Sequence, residues 1–150
     1  MLYPDFRDML SALHAENVEF LLVGSYAVAA HGRARATEDM DIWVRPNVSN
    51  SQKVMKALLR FGAPTASLKV EDFQTDDLVF QIGIPPWRID ILTSIDGVNF
   101  EEAWRDRKEW TLEGLVVPVL SRDHLIANKK AVGRAKDLAD VETLEAQPEK

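Results

Sequence analysis

Between Val18 and Val23 the chain carries a short, mostly apolar run bounded by Asn17 and Gly24. It is too short for a helix of its own and reads as a central strand. The residues after it narrow the fold further. Ser25 can offer its hydroxyl to a free backbone N–H of the next helix, and Tyr26 to His31 supplies an Ala-rich turn or two ending at Gly32. A buried strand that passes through Gly-Ser directly into a helix calls for a mixed architecture of sheet and covering helices.

The flanking patterns agree. Asp5 to Glu16 predicts an amphipathic helix, with Pro4 near its first turn and Phe6, Met9, Leu10 and Leu13 on one face. In Asp39 to Val44 the alternation puts Asp39, Asp41 and Trp43 on one side of a strand and Met40, Ile42 and Val44 on the other. A helix over Ser49 to Phe61 comes next, buried through Val54, Leu58 and Phe61 and ended by Gly62. Leu78 to Ile82 and Trp87 to Thr93 predict two more strands, the second with Arg88 and Asp90 on a wet face opposite Ile89 and Ile91. Phe100 to Arg107 predicts a short helix, and Trp110 to Leu112 with Val116 to Leu120 a hairpin turning near Glu113-Gly114. Two helices close the chain, one from Ser121 and one over Ala135 to Ala146. The expectation is one α+β (mixed α/β) domain over residues 1–150, with Gln147 to Lys150 frayed.

Composition fits one domain: 150 residues, 46% hydrophobic and 28% charged, lie near globular averages and leave no case for disorder. The longest mostly apolar stretch, Phe20 to Ala30, is interrupted by Gly24 and Ser25 and falls well short of the roughly 20 residues of a membrane span. Met-Leu-Tyr-Pro-Asp carries no basic segment or apolar h-region, so the expected location is cytoplasmic. With no cysteine, any metal must use oxygen ligands or the three histidines, which favours a hard cation such as Mg²⁺. A net charge of −6 argues against general duplex-DNA binding. A local basic island runs from Arg122 through Lys129, Lys130 and Arg134 to Lys136, and suits a small phosphorylated ligand or a nucleic-acid end.

Two carboxylates two apart at a strand end point the same way, and their mutual repulsion in a partly buried site is relieved by a cation between them. Asp39 and Asp41 therefore suggest an oxygen-ligated Mg²⁺; the bland alternative is a solvated strand end. Gly24-Ser25 adds a turn where a phosphate can approach backbone N–H groups, against the alternative of a plain helix cap. Asp90 stands between two isoleucines, either as a third ligand or as a residue on the wet face of an edge strand.

Together, Leu21-Leu22-Val23-Gly24-Ser25, then Thr37-Glu38-Asp39-Met40-Asp41-Ile42-Trp43-Val44, then the lone Asp90 resemble the nucleotidyltransferase superfamily that includes DNA polymerase β. Its signature is an apolar strand, Gly-Ser or Gly-Gly, a short helix, and Asp-x-Asp at the head of the next strand. His31-Gly32-Arg33-x-Arg35-x-Thr37 and Lys129-Lys130-x-x-x-Arg134-x-Lys136-Asp137-Leu138-x-Asp140 are similar to the AbiEii-type abortive-infection toxin branch and its short relatives. The likeness spans Val18 to Leu144 and implies a minimal nucleotidyltransferase fold, a mixed sheet flanked by helices with two C-terminal helices. These 150 residues hold no counterpart of the extra C-terminal helical domain of the full-length toxins.

The resemblance implies that Asp39, Asp41 and Asp90 are the catalytic metal ligands, holding Mg²⁺ or Mn²⁺ for in-line transfer of a nucleoside monophosphate from an NTP to a hydroxyl. It implies that Gly24 and Ser25 cradle the phosphates, that Lys129 or Lys130 reaches the triphosphate, and that Arg134 supports it. Asp137 and Asp140, spaced i, i+3, share a helix face and either orient those basic groups or form a surface pair. Arg33 and Arg35 precede the metal ligands and are candidates to touch nucleotide or acceptor. By the same likeness an RNA or tRNA end is the favoured acceptor, an antitoxin protein a candidate partner, and a protein or small-molecule acceptor stays open. Other readings are a non-catalytic nucleotide-binding or antitoxin-like partner and a phosphoesterase using the same acids. His14 and His124 read as surface residues, His31 as a residue fixing its loop, and Trp43 and Trp87 as core tryptophans or base-stacking rings left unassigned.

Overall fold

A computed structural model describes residues 2–32 and 39–146. The chain opens with α1 (Pro4–Ala15), whose proline occupies the first turn, where no intrahelical N–H partner is needed, and whose Phe6, Met9, Leu10 and Leu13 are buried. The other elements follow as β1 (Phe20–Val23), α2 (Gly24–Ala30), β2 (Met40–Val44), α3 (Val48–Phe61), β3 (Val79–Ile82), β4 (Ile89–Leu92), α4 (Phe100–Arg105), β5 (Lys108–Leu112), β6 (Leu115–Val119), α5 (Arg122–Val132) and α6 (Ala135–Ala146). The strands form one mixed six-stranded sheet in the order β3-β4-β2-β1-β6-β5. β1 runs antiparallel to β2 and parallel to β6, β2 runs parallel to β4, and the edges are the antiparallel partners β3 and β5. α1 packs on α3, and α5 on α6.

Local chemistry explains the boundaries. β1 starts at Phe20, later than Val18, because the Asn50 side chain takes over the backbone just before it: Asn50 Oδ1 accepts from Glu19 N–H at 2.8 Å and Asn50 Nδ2 donates to Glu19 O at 3.0 Å. Asn47 caps α3 through the Asn50 N–H, and Ser121 caps α5 through the His124 N–H. The hairpin β5–β6 turns through Glu113 and Gly114, both at positive φ, the backbone that a tight two-residue reversal requires. A 3₁₀ turn over Val70–Gln74, which periodicity does not predict, buries Phe73.

Two sequence expectations change. Ser25 is not the cap of α2: that helix begins at Gly24, is preceded by Val23, and carries no side-chain cap hydrogen bond. The wet faces expected of β2 and β4 are also largely covered. Trp43 is buried under Phe100, whose ring meets it edge-on at 4.8 Å, and Asp90 is only 6% exposed. Alternation assigns the side of a strand correctly, whereas coverage depends on a helix distant in sequence, α4, which begins at Phe100.

Candidate active site

The register of three adjacent strands gathers the acidic residues at one end of the sheet. Val23 lies opposite Asp41 across the antiparallel β1–β2 pair, and Asp41 lies beside Asp90 across the parallel β2–β4 pair. Directly paired residues project to the same face. Gly24 then leaves β1 at φ +65°, and a Cβ there would collide with Asp41 Oδ2 and stand 3.2 Å from Asp41 Cγ. Glycine at 24 is therefore required twice, by its left-handed backbone and by the carboxylate packed over it.

Arg88, just before β4, completes the cluster. Its Nε donates to Asp90 Oδ1 at 2.8 Å and its Nη2 to Asp90 Oδ2 at 3.2 Å, and the same Nη2 lies 3.2 Å from Asp39 Oδ2. Burial, the adjacent Asp90 and, more weakly, Asp39 push the Asp41 carboxyl up to about 7, with Arg88 opposing the rise. Two of the three carboxylates thus share one guanidinium, and Asp39 Oδ1 is buried without a hydrogen-bond partner. An all-oxygen donor set with unbalanced negative charge and an orphaned buried oxygen fits a hard divalent cation. As the side chains lie, no three acidic or histidine groups among the described residues stand in metal-holding geometry. Arg88 spans two of the three acids.

Beside the cluster opens a cleft of about 280 Å³ lined by Gly24, Ser25 and Asp41 on one side and by Lys129, Arg134 and Lys136 on the other. The basic wall is fixed by an ion cluster between α5 and α6. Lys129, 7% exposed, places Nζ 3.3 Å from Asp137 Oδ1 and 3.2 Å from Asp140 Oδ2. Arg134 Nε donates to Asp137 Oδ2 at 2.6 Å and Nη2 to Oδ1 at 3.3 Å, while most of the Arg134 side chain faces solvent. Burial would raise Asp137, but the hydrogen bonds from Arg134 and Lys129 outweigh it and hold the carboxyl below its ordinary value. His31 ties α2 to the sheet, its Nε2 lying 2.8 Å from the Leu120 carbonyl, so Nε2–H is the donor.

Of the residues singled out in the sequence, Gly24, Ser25, Asp41, Lys129, Arg134 and Asp137 line this cleft. Arg88 joins Asp39 to Asp90, Asp41 lies directly beside Asp90, and Asp140 joins Asp137 on Lys129. Lys130 stands elsewhere, its ammonium 3.5 Å from Glu145 on the exposed side of the α5–α6 pair. Arg33 and Arg35 lie outside the described residues. Trp87 is 45% exposed and already stacked flat on Tyr3 at 4.5 Å. Sequence reasoning gives no site role to Arg88, and places Lys136 only in the basic island. Arg88 sits two residues before Asp90 on the same strand face, and that spacing is the available signal.

No family model matches the sequence, and neither does any curated protein. Solved structures do match in fold. The lincosamide antibiotic adenylyltransferase LnuA with lincomycin bound is similar at a TM-score of 0.61 and 16% identity, over 97% of this chain and 98% of that one. A Thermotoga maritima protein assigned as a nucleotidyltransferase gives 0.62 and 16%, over 97% and 93%. The antibiotic-resistance factor ANT(2'')-Ia gives 0.61 and 16%, over 94% and 80%. The chain has the fold of nucleotidyltransferases, and none of its described helices is long and apolar enough to cross a membrane.

Proposed function

We propose that this chain is a nucleotidyltransferase that uses Mg²⁺ or Mn²⁺ to move a nucleoside monophosphate from an NTP to a hydroxyl acceptor. The observation that carries this is one cleft lined by Asp41, which sits beside Asp90 across the β2–β4 pair, and by Lys129, Arg134 and Lys136 of the α5–α6 region. Asp39, Asp41 and Asp90 are the residues to hold divalent ions, which supply charge neutralisation on the phosphates and acidify the attacking hydroxyl. Gly24 makes room for the Asp41 carboxylate packed over it, and with Ser25 it lines the cleft at the start of α2, where backbone N–H groups favour a phosphate. Lys129 and Arg134 are held by Asp137 and Asp140, and a polyphosphate chain meets them already oriented. Lys136 adds a third positive charge to that wall.

For the acceptor we favour an RNA end such as a tRNA terminus, on the likeness of the C-terminal Lys-Lys to Asp motif to the AbiEii-type branch. The fold neighbour LnuA, an adenylyltransferase of lincosamides, makes a small-molecule hydroxyl the competing acceptor. A toxin role, with an antitoxin protein as partner, belongs to the RNA reading. The three intact carboxylates weigh against a non-catalytic nucleotide-binding partner.

Each labelled NTP is incubated with the protein and Mg²⁺ in the presence of total RNA or of a small-molecule extract. Label is expected in RNA and absent with Asp41→Asn. Label confined to the extract would move the acceptor to small molecules, and transfer that survives Asp41→Asn would refute the site. Under the toxin role, expression of the wild-type chain arrests growth and Asp41→Asn relieves the arrest.

A further inference from the structure

The guanidinium of Arg88 occupies the ground between Asp39 and Asp90 that a divalent ion would share. It binds Asp90 through both carboxylate oxygens and reaches Asp39 with the same Nη2 that serves Asp90 Oδ2. A cation ligated by Asp39 and Asp90 in this arrangement would sit against a guanidinium, and like charges at that separation repel. We propose that Arg88 is the resident cation of the metal-free site: it holds the acidic cluster together until a divalent ion arrives, and must withdraw from Asp39, Asp90 or both for those carboxylates to become ligands. The proposal rests on the reading that Asp39, Asp41 and Asp90 hold divalent ions.

Three features make Arg88 suited to leaving. Its side chain is 26% exposed, between 9% for Asp90 and 33% for Asp39, so the arginine has a path to solvent. Its backbone is anchored independently, because Arg88 O accepts from the Met40 N–H at 3.0 Å and the preceding Trp87 is stacked on Tyr3. The side chain can therefore swing while β4 stays in register. Finally, one guanidinium against three carboxylates leaves the cluster short of positive charge, and Asp39 Oδ1 is buried without a partner. Arg88 satisfies the site only in part, and a divalent ion has both the charge and the coordination number to outcompete it. Arg88 is thus a positioning residue that sets the metal affinity and keeps a strongly acidic site folded when no ion is bound.

The test measures Mn²⁺ binding by the loss of the free-ion electron paramagnetic resonance signal, for the full chain and for Arg88→Gln, Arg88→Lys and Asp41→Asn. Thermal unfolding in chelator runs in parallel. Arg88→Gln is expected to bind Mn²⁺ roughly tenfold tighter than the wild type, within the range usual for coupled sites, and to unfold at a lower temperature in chelator, with Mn²⁺ restoring the loss. Arg88→Lys, which keeps the charge but cannot fork across Asp90, is expected to fall between them, and it decides the matter if Arg88→Gln does not fold. Equal or weaker Mn²⁺ binding by the Arg88 variants overturns the proposal, since Arg88 would then be a fixed support of the ligands. If neither the wild type nor the Arg88 variants bind Mn²⁺, or if Asp41→Asn binds as well as the wild type, the underlying metal reading falls as well. That result is distinct from a failure of Arg88 alone.

Discussion

Asp41 carries a conflict between stability and chemistry. Burial and the neighbouring Asp90 raise its carboxyl from 3.8 to about 7, so the folded state binds a proton that the unfolded state releases. Stability from this group is complete below about pH 4 and is lost as the pH climbs through 7. Asp41→Asn removes that loss: in chelator it should melt higher than the wild type at pH 8, with the difference shrinking on acidification and gone below about pH 4. Thermal scans across that range check the sign, and a difference independent of pH would show that Asp41 is not buried in charged form. Gly24 packs under the same carboxylate. Gly24→Ala combines a left-handed strain of about 1–3 kcal/mol with a collision on Asp41 Oδ2. In an Asp41→Ala background only the strain remains. A double-mutant cycle on chemical denaturation should therefore show Gly24→Ala less destabilising there than in the wild type.

At the scale of elements, the link between α5 and α6 rests on a buried charge cluster as much as on apolar packing. Lys129 bridges Asp137 and Asp140, themselves 1% and 5% exposed, and Arg134 adds a second positive charge at Asp137. Removing one partner of such a set typically costs about 3–5 kcal/mol because the others are left charged and dry. Lys129→Met should show a loss of that size on urea denaturation, and adding Asp137→Asn and Asp140→Asn should recover part of it. Lys130→Met, which loses only the exposed contact with Glu145, should change stability by less than about 1 kcal/mol.

The sequence makes the strand-Gly-Ser-helix-strand order legible, because an apolar run at β1 and a two-residue alternation at β2 admit few other readings. The Lys129, Asp137 and Asp140 spacing shows which residues share a helix face, but an i, i+3 pair looks the same whether it faces a neighbouring helix or water. Burial of Asp137 is decided by the Gly133 turn that folds α6 back on α5, a tertiary fact. The role of Arg88 is hidden for a related reason: its link to Asp39 exists only once β4 has paired with β2.

Taken as a whole, the molecule sets Asp41, at the edge of the sheet's acidic cluster, and Lys129, Arg134 and Lys136 of the α5–α6 region around one cleft. A polyphosphate ligand that touches both walls joins parts of the fold that meet across that cleft. Any such ligand stabilises the folded state by mass action, about 2.7 kcal/mol at a hundredfold excess over its dissociation constant. For a chain of this length that corresponds to a rise in Tm of roughly 5–11 °C. The rise should need both walls. It should require Mg²⁺ or Mn²⁺, because a triphosphate alone meets an acidic cluster, and it should shrink strongly in Arg134→Gln, where the exposed guanidinium at the cleft is gone. Differential scanning fluorimetry with each NTP, with and without the divalent ion, reads all of this at once. A rise of equal size without the ion would leave the acids no part in binding, and would favour a nucleotide-binding module that performs no transfer.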